Sequence, residues 1–105
     1  MLRNGRPYTT ENGSIDDVLV TDHHSKEEIE IICKWIRINL IRRKTPNYDR
    51  TSYGLKHILE CETGIYLTNN EFKDAMLMCE YKPVNSNELN WGYCISEKSP
   101  AFVSK

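Results

Sequence analysis

Hydrophobic residues in the middle of the chain recur at the spacing of an amphipathic helix. They follow the capping-box sequence Ser25-Lys26-Glu27-Glu28, in which the serine accepts from the amide of the last residue and that glutamate reaches back. The apolar face consists of Ile29, Ile32, Cys33, Ile36 and Leu40. Basic residues close the segment and Pro46 stops it, so the pattern predicts a long helix over residues 25–43.

Two shorter helices are predicted further along the chain. The second covers residues 52–62, and Gly64 is its stop signal. The third covers residues 69–79 and begins at a capping box formed by Thr68 and Glu71. Because the connection between them is short, we expect these two helices to be spatial neighbours.

Beyond the third helix the hydrophobic period changes to two. Leu89, Trp91, Tyr93 and Ile95 alternate with Asn90, Gly92, Cys94 and Ser96. Residues 81–84 read as a first short strand, and residues 85–88 as a turn. The pattern predicts a β-hairpin with one apolar and one polar face.

The two ends of the chain show no such periodicity. Residues 1–14 are polar and contain two glycines and a proline, and residues 15–20 are a short apolar stretch. We predict a flexible N-terminal segment over residues 1–20 that includes a short strand. A folded domain over 21–96 and a C-terminal tail over 97–105 complete the chain.

The order of these elements predicts an α+β protein. Three helices followed by a β-hairpin resemble the winged helix-turn-helix plan over residues 25–96, which implies DNA binding by the third helix and a hairpin wing. The stretch SYGLKHILECETGIYLTNNEFKDAMLMCEYKP, followed by NWGYCIS, also resembles small uncharacterised proteins carried on bacterial phages and plasmids. This second resemblance implies a mobile-element origin and no particular activity.

The charge pattern adds a basic segment that the net charge conceals. The 105 residues carry a formal net charge of -1, which excludes a bulk polycation and an acidic nucleic-acid mimic. Residues 34–56 nevertheless carry seven bases and one acid, and the segments on both sides are acidic. The bases are Lys34, Arg37, Arg42, Arg43, Lys44, Arg50 and Lys56. They form either a solvated basic face or a surface that contacts the nucleic-acid backbone.

The nucleic-acid hypothesis names eleven contact residues. They are Arg37, Arg42, Arg43, Lys44, Arg50, Ser52, Tyr53 and Lys56 around the start of the second helix, and Asn69, Asn70 and Lys73 on the third. Helix N-termini and the side chains of arginine and lysine bind phosphates, and asparagine amides read adenine edges. Glu71 and Asp74 on the third helix oppose such binding.

The first helix carries a second apolar set on its opposite side, formed by Ile31, Trp35 and Ile38. A helix that is apolar on two sides is covered on both. Either other parts of the chain cover this side, or it is a dimer or partner surface centred on Trp35.

The sequence contains no catalytic motif of weight. The four cysteines lack metal-ligand spacing, and Cys33 and Cys79 are expected to be buried as small apolar side chains. His23 and His24 stand beside Asp22 without further ligands nearby. We therefore expect no catalytic residue, no metal, no cofactor and no enzyme activity.

Two functions remain open at this point. The first is a small DNA-binding regulator or accessory protein of a mobile element. The second is a phage-encoded inhibitor that binds a host defence protein, such as a CRISPR effector nuclease, and places acidic patches in a channel made for nucleic acid. No apolar run is long enough to span a membrane, so a cytoplasmic location is expected. A homodimer is compatible with either function.

Overall fold

A computed structural model describes residues 1–103 and shows a mixed α+β chain whose first elements are strands. The strands are β1 (Leu2–Arg3), β2 (Arg6–Pro7), β3 (Thr9–Glu11), β4 (Ser14–Asp16), β5 (Arg42–Thr51) and β6 (Gly92–Ile95). The helices are α1 (Val20–His23), α2 (Lys26–Asn39), α3 (Ser52–Thr63) and α4 (Asn69–Met78), followed by a 3-10 turn at Pro100–Phe102. The strands pair as three antiparallel two-stranded sheets, β1 with β2, β3 with β4, and β5 with β6. Within residues 1–103, no helix combines the length and the apolar character needed to cross a bilayer.

The predicted helix signals are confirmed where they depend on neighbouring residues. Ser25 Oγ accepts from the amide of Glu28 at 3.1 Å, and Thr68 Oγ1 accepts from the amide of Glu71 at 3.1 Å. Each glutamate carboxylate accepts from the amide of its capping residue in return. Gly64 ends α3 with a φ of 75°, a left-handed conformation that glycine adopts without strain. Both α3 and α4 therefore lie within one residue of their predicted bounds.

Residues 42–51 form a strand, and the prediction that the first helix continues to residue 43 was wrong. α2 ends at Asn39. In the β5–β6 register Arg42 is opposite Ile95, Asn47 opposite Tyr93 and Thr51 opposite Gly92. β6 buries Tyr93 and Ile95, and the backbone of a buried strand needs a hydrogen-bonding partner. This long-range pairing overrides the helical spacing that residues 40–43 share with α2.

The predicted hairpin between residues 81–84 and β6 is replaced by a different pairing. One backbone hydrogen bond joins these segments, from the amide of Val84 to the carbonyl of Gly92 at 2.9 Å. The strand partner of β6 is β5. The structure thus does not confirm the winged-helix arrangement, since strands come first and β6 is not the second strand of a wing.

α4 is the most deeply buried element of the fold. Every residue from 70 to 76 is at most 3% exposed. α1, α2, α3 and β2 all pack on this helix. The apolar core around it includes Ile32, Ile36, Leu55, Leu59, Trp91 and Tyr93. A helix covered on all sides also buries its polar residues, and these need partners within the fold.

Residues 2–16 form two hairpins, whereas the polar composition predicted a flexible segment with a short strand over residues 1–20. Each hairpin turns at an Asn-Gly pair, at residues 4–5 and 12–13, with positive φ at both positions. Asn-Gly is the preferred sequence for such tight turns, because both residues tolerate a left-handed backbone. The polar composition of this segment therefore reflects turns and short strands.

Part of the predicted C-terminal tail is also folded. Ser99 is buried, accepts from the amide of Ile41 at 2.8 Å and donates to the carbonyl of Ser96 at 2.6 Å. The guanidinium of Arg50 lies 4.0 Å from the centre of the Phe102 ring. Residues 104–105 of the predicted tail lie outside the described residues.

Candidate functional site

Two of the predicted base-reading residues are buried inside the fold. Asn70 and Lys73 are 0% exposed, so they lack the exposed positions on the third helix that contact with nucleic acid requires. Asn70 Nδ2 donates to the carbonyls of Pro7 at 3.0 Å and Val18 at 2.9 Å. α4 therefore presents its polar side to the N-terminal segment, and nucleic acid cannot reach these two residues. The Asn-Gly pairs at residues 4–5 and 12–13 are a sequence signal for the hairpins of that segment, but not for their packing against α4.

Asp74 has an internal partner as well. Arg6 donates from Nε and Nη2 to its carboxylate at 2.8 and 2.7 Å, and the amide of Val20 donates at 3.1 Å. The pKa of Arg6 is raised, first by its hydrogen bonds to Asp74. Asp74, whose charge opposes DNA binding by the third helix, thus anchors the first hairpin.

Lys73 is a buried cation, and few groups around it stabilise its charge. Its Nζ donates to Thr9 Oγ1 at 2.7 Å and lies 5.0 Å from the centre of the Trp91 ring. Burial lowers the pKa of Lys73 to about 8, and the more distant carboxylate of Asp16 partly opposes that shift.

Ser52 and Lys56, predicted as contacts at the start of the second helix, are buried too. Ser52 Oγ accepts from the amide of Trp91 at 3.0 Å. Lys56 Nζ pairs with Glu60 Oε1 at 3.1 Å. Their neighbour Tyr53 is 54% exposed, so it is the member of this group that a large ligand can reach.

Arg50 is neutralised by a carboxylate from the other end of the chain. Its Nε and Nη2 each donate to Glu97 at 3.0 Å. These bonds, followed by one from Asn47, lower the pKa of Glu97 to about 2. Arg50 therefore contributes little positive potential to the surface.

Arg42 is held by main-chain carbonyl groups. Its Nη2 donates to the carbonyl oxygens of Cys79 and Glu80 at 2.9 and 3.1 Å, and its guanidinium lies 4.0 Å from the centre of the Tyr81 ring. The carbonyls at this end of α4 carry partial negative charge, which suits a cation. A carbonyl does not cancel a full charge, so Arg42 stays positive while its position is fixed.

Arg43 is also held by main-chain carbonyl groups. It donates to the carbonyls of Thr45 and Pro46 at 2.9 and 2.7 Å. Together with Arg42 it lines a shallow pocket of about 240 Å³, whose other lining residues are Glu80, Tyr81, Lys82, Tyr93 and Cys94. The Tyr93 hydroxyl is buried without a hydrogen-bond partner in the described chain, and burial raises its pKa well above 10.

Arg37 lies on the same side of the molecule. Burial raises the pKa of Tyr81, and the charges of Arg42 and Arg37 both oppose that rise. Lys44 is exposed and follows Arg43 on β5. We refer to Arg37, Arg42, Arg43, Lys44 and Lys82 as the basic surface. Within residues 1–103, none of these five forms an ion pair with a carboxylate, although Glu80 is an exposed acid beside them.

Of the three residues proposed as a partner surface on α2, one is buried and two are exposed. Trp35 is 7% exposed, and its Nε1 donates to Glu62 Oε1 at 3.0 Å. Ile31 and Ile38 are exposed on the outer side of α2. Of the two alternatives for this side of the helix, Trp35 follows the first, because other parts of the chain cover it, and α2 packs against α3.

A second concave region lies where β3 and β4 face α3. This cleft has a volume of about 860 Å³, and Tyr53, Tyr66, Asn69 and Asn90 are among its lining residues. Asn69 is the predicted contact residue of α4 that remains partly exposed, and its Nδ2 donates to Asn90 Oδ1 at 2.9 Å and to the carbonyl of Leu89 at 3.3 Å.

The expected burial of the helical cysteines is confirmed for Cys79. Its Sγ lies 4.0 Å from the carbonyl of Cys33, which is itself partly buried, and burial raises the pKa of the Cys79 thiol to about 12. A protonated, buried thiol packs as a small apolar group. In the part of the chain that the structure describes, no three His, Cys, Asp or Glu side chains are grouped to hold a metal ion.

No protein-family model, no curated protein and no solved structure matches the chain.

Proposed function

We propose that the chain binds nucleic acid through the basic surface, as a regulator or accessory protein of a mobile element. The contact expected is with the phosphate backbone. No exposed recognition helix takes part, because α4 is buried. This differs from the winged-helix mode of binding that the order of helices suggested.

The observation that supports the proposal is which groups bind the arginine and lysine side chains, carboxylates or carbonyl oxygens. Arg6, Arg50 and Lys56 bind carboxylates, so their charges are balanced within the fold. Arg42 and Arg43 bind carbonyl oxygens and stay positive at fixed positions. Fixed guanidinium groups lose little conformational entropy when they bind phosphate oxygens, which favours this site over mobile surface lysines.

The proposal is tested by fluorescence anisotropy with labelled duplex DNA at a series of salt concentrations. The test variant is Arg43→Ala/Lys82→Ala, because both side chains line the basic pocket. Arg42 is left intact because it binds the end of α4. If Arg43 and Lys82 each contact one phosphate, the magnitude of the slope of log affinity against log salt decreases by about 1.8 in the double variant.

The matched control is Arg3→Ala/Lys26→Ala, which removes the same two kinds of charge from the N-terminal part of the chain. It should leave the salt slope unchanged. Equal slopes for the two double variants, or no binding by the wild-type chain at low salt, would show that the basic surface does not contact nucleic acid.

One observation favours the second candidate function, inhibition of a nucleic-acid-binding host protein. Five carboxylates between residues 11 and 30 are exposed, at Glu11, Asp17, Asp22, Glu27 and Glu30. Exposed carboxylates are complementary to a basic channel, although Asp17 is already paired with Arg3 at 3.8 Å. The test is competition with guide RNA or DNA for a purified CRISPR effector nuclease, and unchanged nucleic-acid binding by the nuclease would exclude that target.

A further inference from the structure

One large concave region of the described chain lies away from the basic surface. It is bounded by the β3–β4 hairpin on one side and by α3 and the start of α4 on the other. We refer to it as the hairpin cleft. A volume of about 860 Å³ is within the range of sites that bind small molecules or a few side chains.

Two tyrosine rings form the aromatic part of the hairpin cleft. Tyr53 and Tyr66 are 54% and 67% exposed, although large aromatic rings are usually covered. Lys56 Nζ lies 5.5 Å from the centre of each ring. His57 packs edge-on against Tyr53 with ring centres 4.6 Å apart. Each ring therefore has a neighbour that restricts its position, and part of its surface stays open to the cleft.

The ionisable groups of the hairpin cleft give it a negative balance. Lys56 is neutralised by Glu60, and the buried Lys73 lies behind Thr9, where it partly offsets Asp16. Glu11 lies at the end of β3, is exposed and forms no ion pair within residues 1–103. A phosphate would thus meet an uncompensated carboxylate in this cleft.

The polar lining adds fixed hydrogen-bond acceptors. The Asn69 amide donates both to Asn90 Oδ1 and to the carbonyl of Leu89, so its nitrogen is already engaged. Asn69 Oδ1 is a buried acceptor with no partner among the described residues. A donor group in the cleft would reach this oxygen after a small movement of the residues that cover it, and would then supply the hydrogen bond that it lacks within the fold.

We propose that the hairpin cleft binds a guanidinium group, as carried by an arginine side chain of a partner protein or by a small arginine-like molecule. A guanidinium is planar and stacks on tyrosine faces, and its five N–H donors suit a carboxylate and amide oxygens. An ammonium group stacks less well, and a neutral urea group lacks the charge that Glu11 attracts.

This inference does not rest on the proposed nucleic-acid function. The hairpin cleft adjoins the first residues of α4, and the basic surface adjoins its last residues. The ten residues of α4 separate the two by about 15 Å at 1.5 Å per residue. Variants of the cleft should therefore leave DNA binding intact at physiological salt.

The test is a titration of the ¹⁵N-labelled chain, followed by ¹H–¹⁵N correlation spectra that include the side-chain amides of Asn69 and Asn90. The probes are N-acetyl-arginine amide and a peptide of alternating arginine and glycine. Citrulline versions of both, which are neutral and nearly isosteric, serve as ligand controls. We expect shifts at the cleft with arginine and at least about tenfold weaker binding with citrulline.

Tighter binding of the peptide assigns the site to a protein partner, whereas equal affinity of both probes assigns it to the guanidinium group itself. Glu11→Gln should weaken binding by about tenfold and Tyr66→Leu by about threefold. Glu27→Gln and Tyr48→Leu, which alter exposed residues of the same types elsewhere, should bind as the wild type does. Equal binding of arginine and citrulline, shifts outside the cleft, or no binding up to millimolar concentrations would overturn the proposal.

Discussion

The buried Lys73 is expected to make the stability of the protein depend on pH in one particular direction. Its ammonium group has one hydrogen bond, to Thr9 Oγ1, and the face of Trp91. The substitution Lys73→Met keeps an unbranched side chain that is one atom shorter and removes the charge. Thr9 Oγ1 remains 3.5 Å from Asn70 Oδ1, so its hydroxyl keeps a partner.

The magnitude follows from the pKa of Lys73, which falls from 10.5 to about 8 on folding. At 1.36 kcal/mol per pH unit, this fall corresponds to about 3 kcal/mol. Between pH 8 and pH 10.5 the unfolded chain binds more protons at this site than the folded chain does. The contribution of Lys73 to the free energy of unfolding therefore rises as pH increases through this window, and the full cost of the buried charge applies below pH 8.

The assay is urea unfolding at pH values from 7 to 10, followed by the fluorescence of Trp35 and Trp91, in the presence of a reductant. Tyr93 and Cys79 have raised pKa values and act in the opposite direction at high pH. The informative quantity is thus the difference in free energy of unfolding between Lys73→Met and the wild type.

That difference should favour the variant at pH 7 and shrink by roughly 2 to 3 kcal/mol by pH 10, because the folded lysine is then almost fully deprotonated while the unfolded lysine is still mostly protonated. Lys26→Met, at an exposed lysine, should show no such trend. If the difference in free energy of unfolding between Lys73→Met and the wild type stays constant across this pH range, the argument is refuted. Such a result would show that Lys73 is already neutral, or is equally solvated in the folded and unfolded chain.

The remaining predictions concern two other charge pairs. Arg6→Ala should lower the free energy of unfolding by about 2 kcal/mol, because it leaves the buried carboxylate of Asp74 with the amide of Val20 as its hydrogen-bond donor. Arg3→Ala is the control, and an equal loss in both variants would contradict this role. Arg50→Ala should raise the pKa of Glu97 from about 2 towards 4.5, as measured by carboxyl ¹³C shifts. Because the folded pKa is lowered, the pair's contribution to stability is lost as pH falls through that range, and a variant that titrates like the wild type would disprove the assignment.

The sequence predicted those parts of the fold that depend on contacts between near neighbours. The capping boxes at Ser25 and Thr68 each join residues three positions apart, and the left-handed stop at Gly64 depends on one residue. Signals of this kind do not depend on contacts with distant parts of the chain. The Asn-Gly pairs at residues 4–5 and 12–13 belong to the same class and predict hairpins when they are read as turns.

The sequence could not predict β5 or the orientation of α4, because both depend on distant residues. β5 is polar and lacks alternation, and its partner β6 begins more than forty residues later. The burial of Lys73 depends on Thr9, and that of Asp74 depends on Arg6, each more than sixty residues away in the chain. A polar helical face facing solvent and one facing a polar hairpin have the same sequence pattern.

The same limit applies to the candidate site. The run of bases between residues 34 and 56 was visible, but which of them stay positive was not. Arg50 is neutralised by a glutamate 47 positions away, whereas Arg43 binds carbonyls two and three positions ahead of it. Whether a base can attract phosphate is therefore decided by its partner, and a count of charges along the chain overestimates the basic surface.

A net charge of -1 does not prevent the basic surface from acting on a polyanion. At physiological salt the screening length is about 8 Å, and the ten residues of α4 separate the hairpin cleft, with Glu11, from Arg42 by about 15 Å. The charge of Glu11 is then largely screened from a phosphate bound beside Arg42. At an ionic strength near 0.01 M the screening length grows to about 30 Å, which approaches the 37 Å longest dimension of the molecule. Weak binding measured only in very low salt would therefore report the charge of the whole chain, and the salt slope near physiological ionic strength is the quantity that isolates the basic surface.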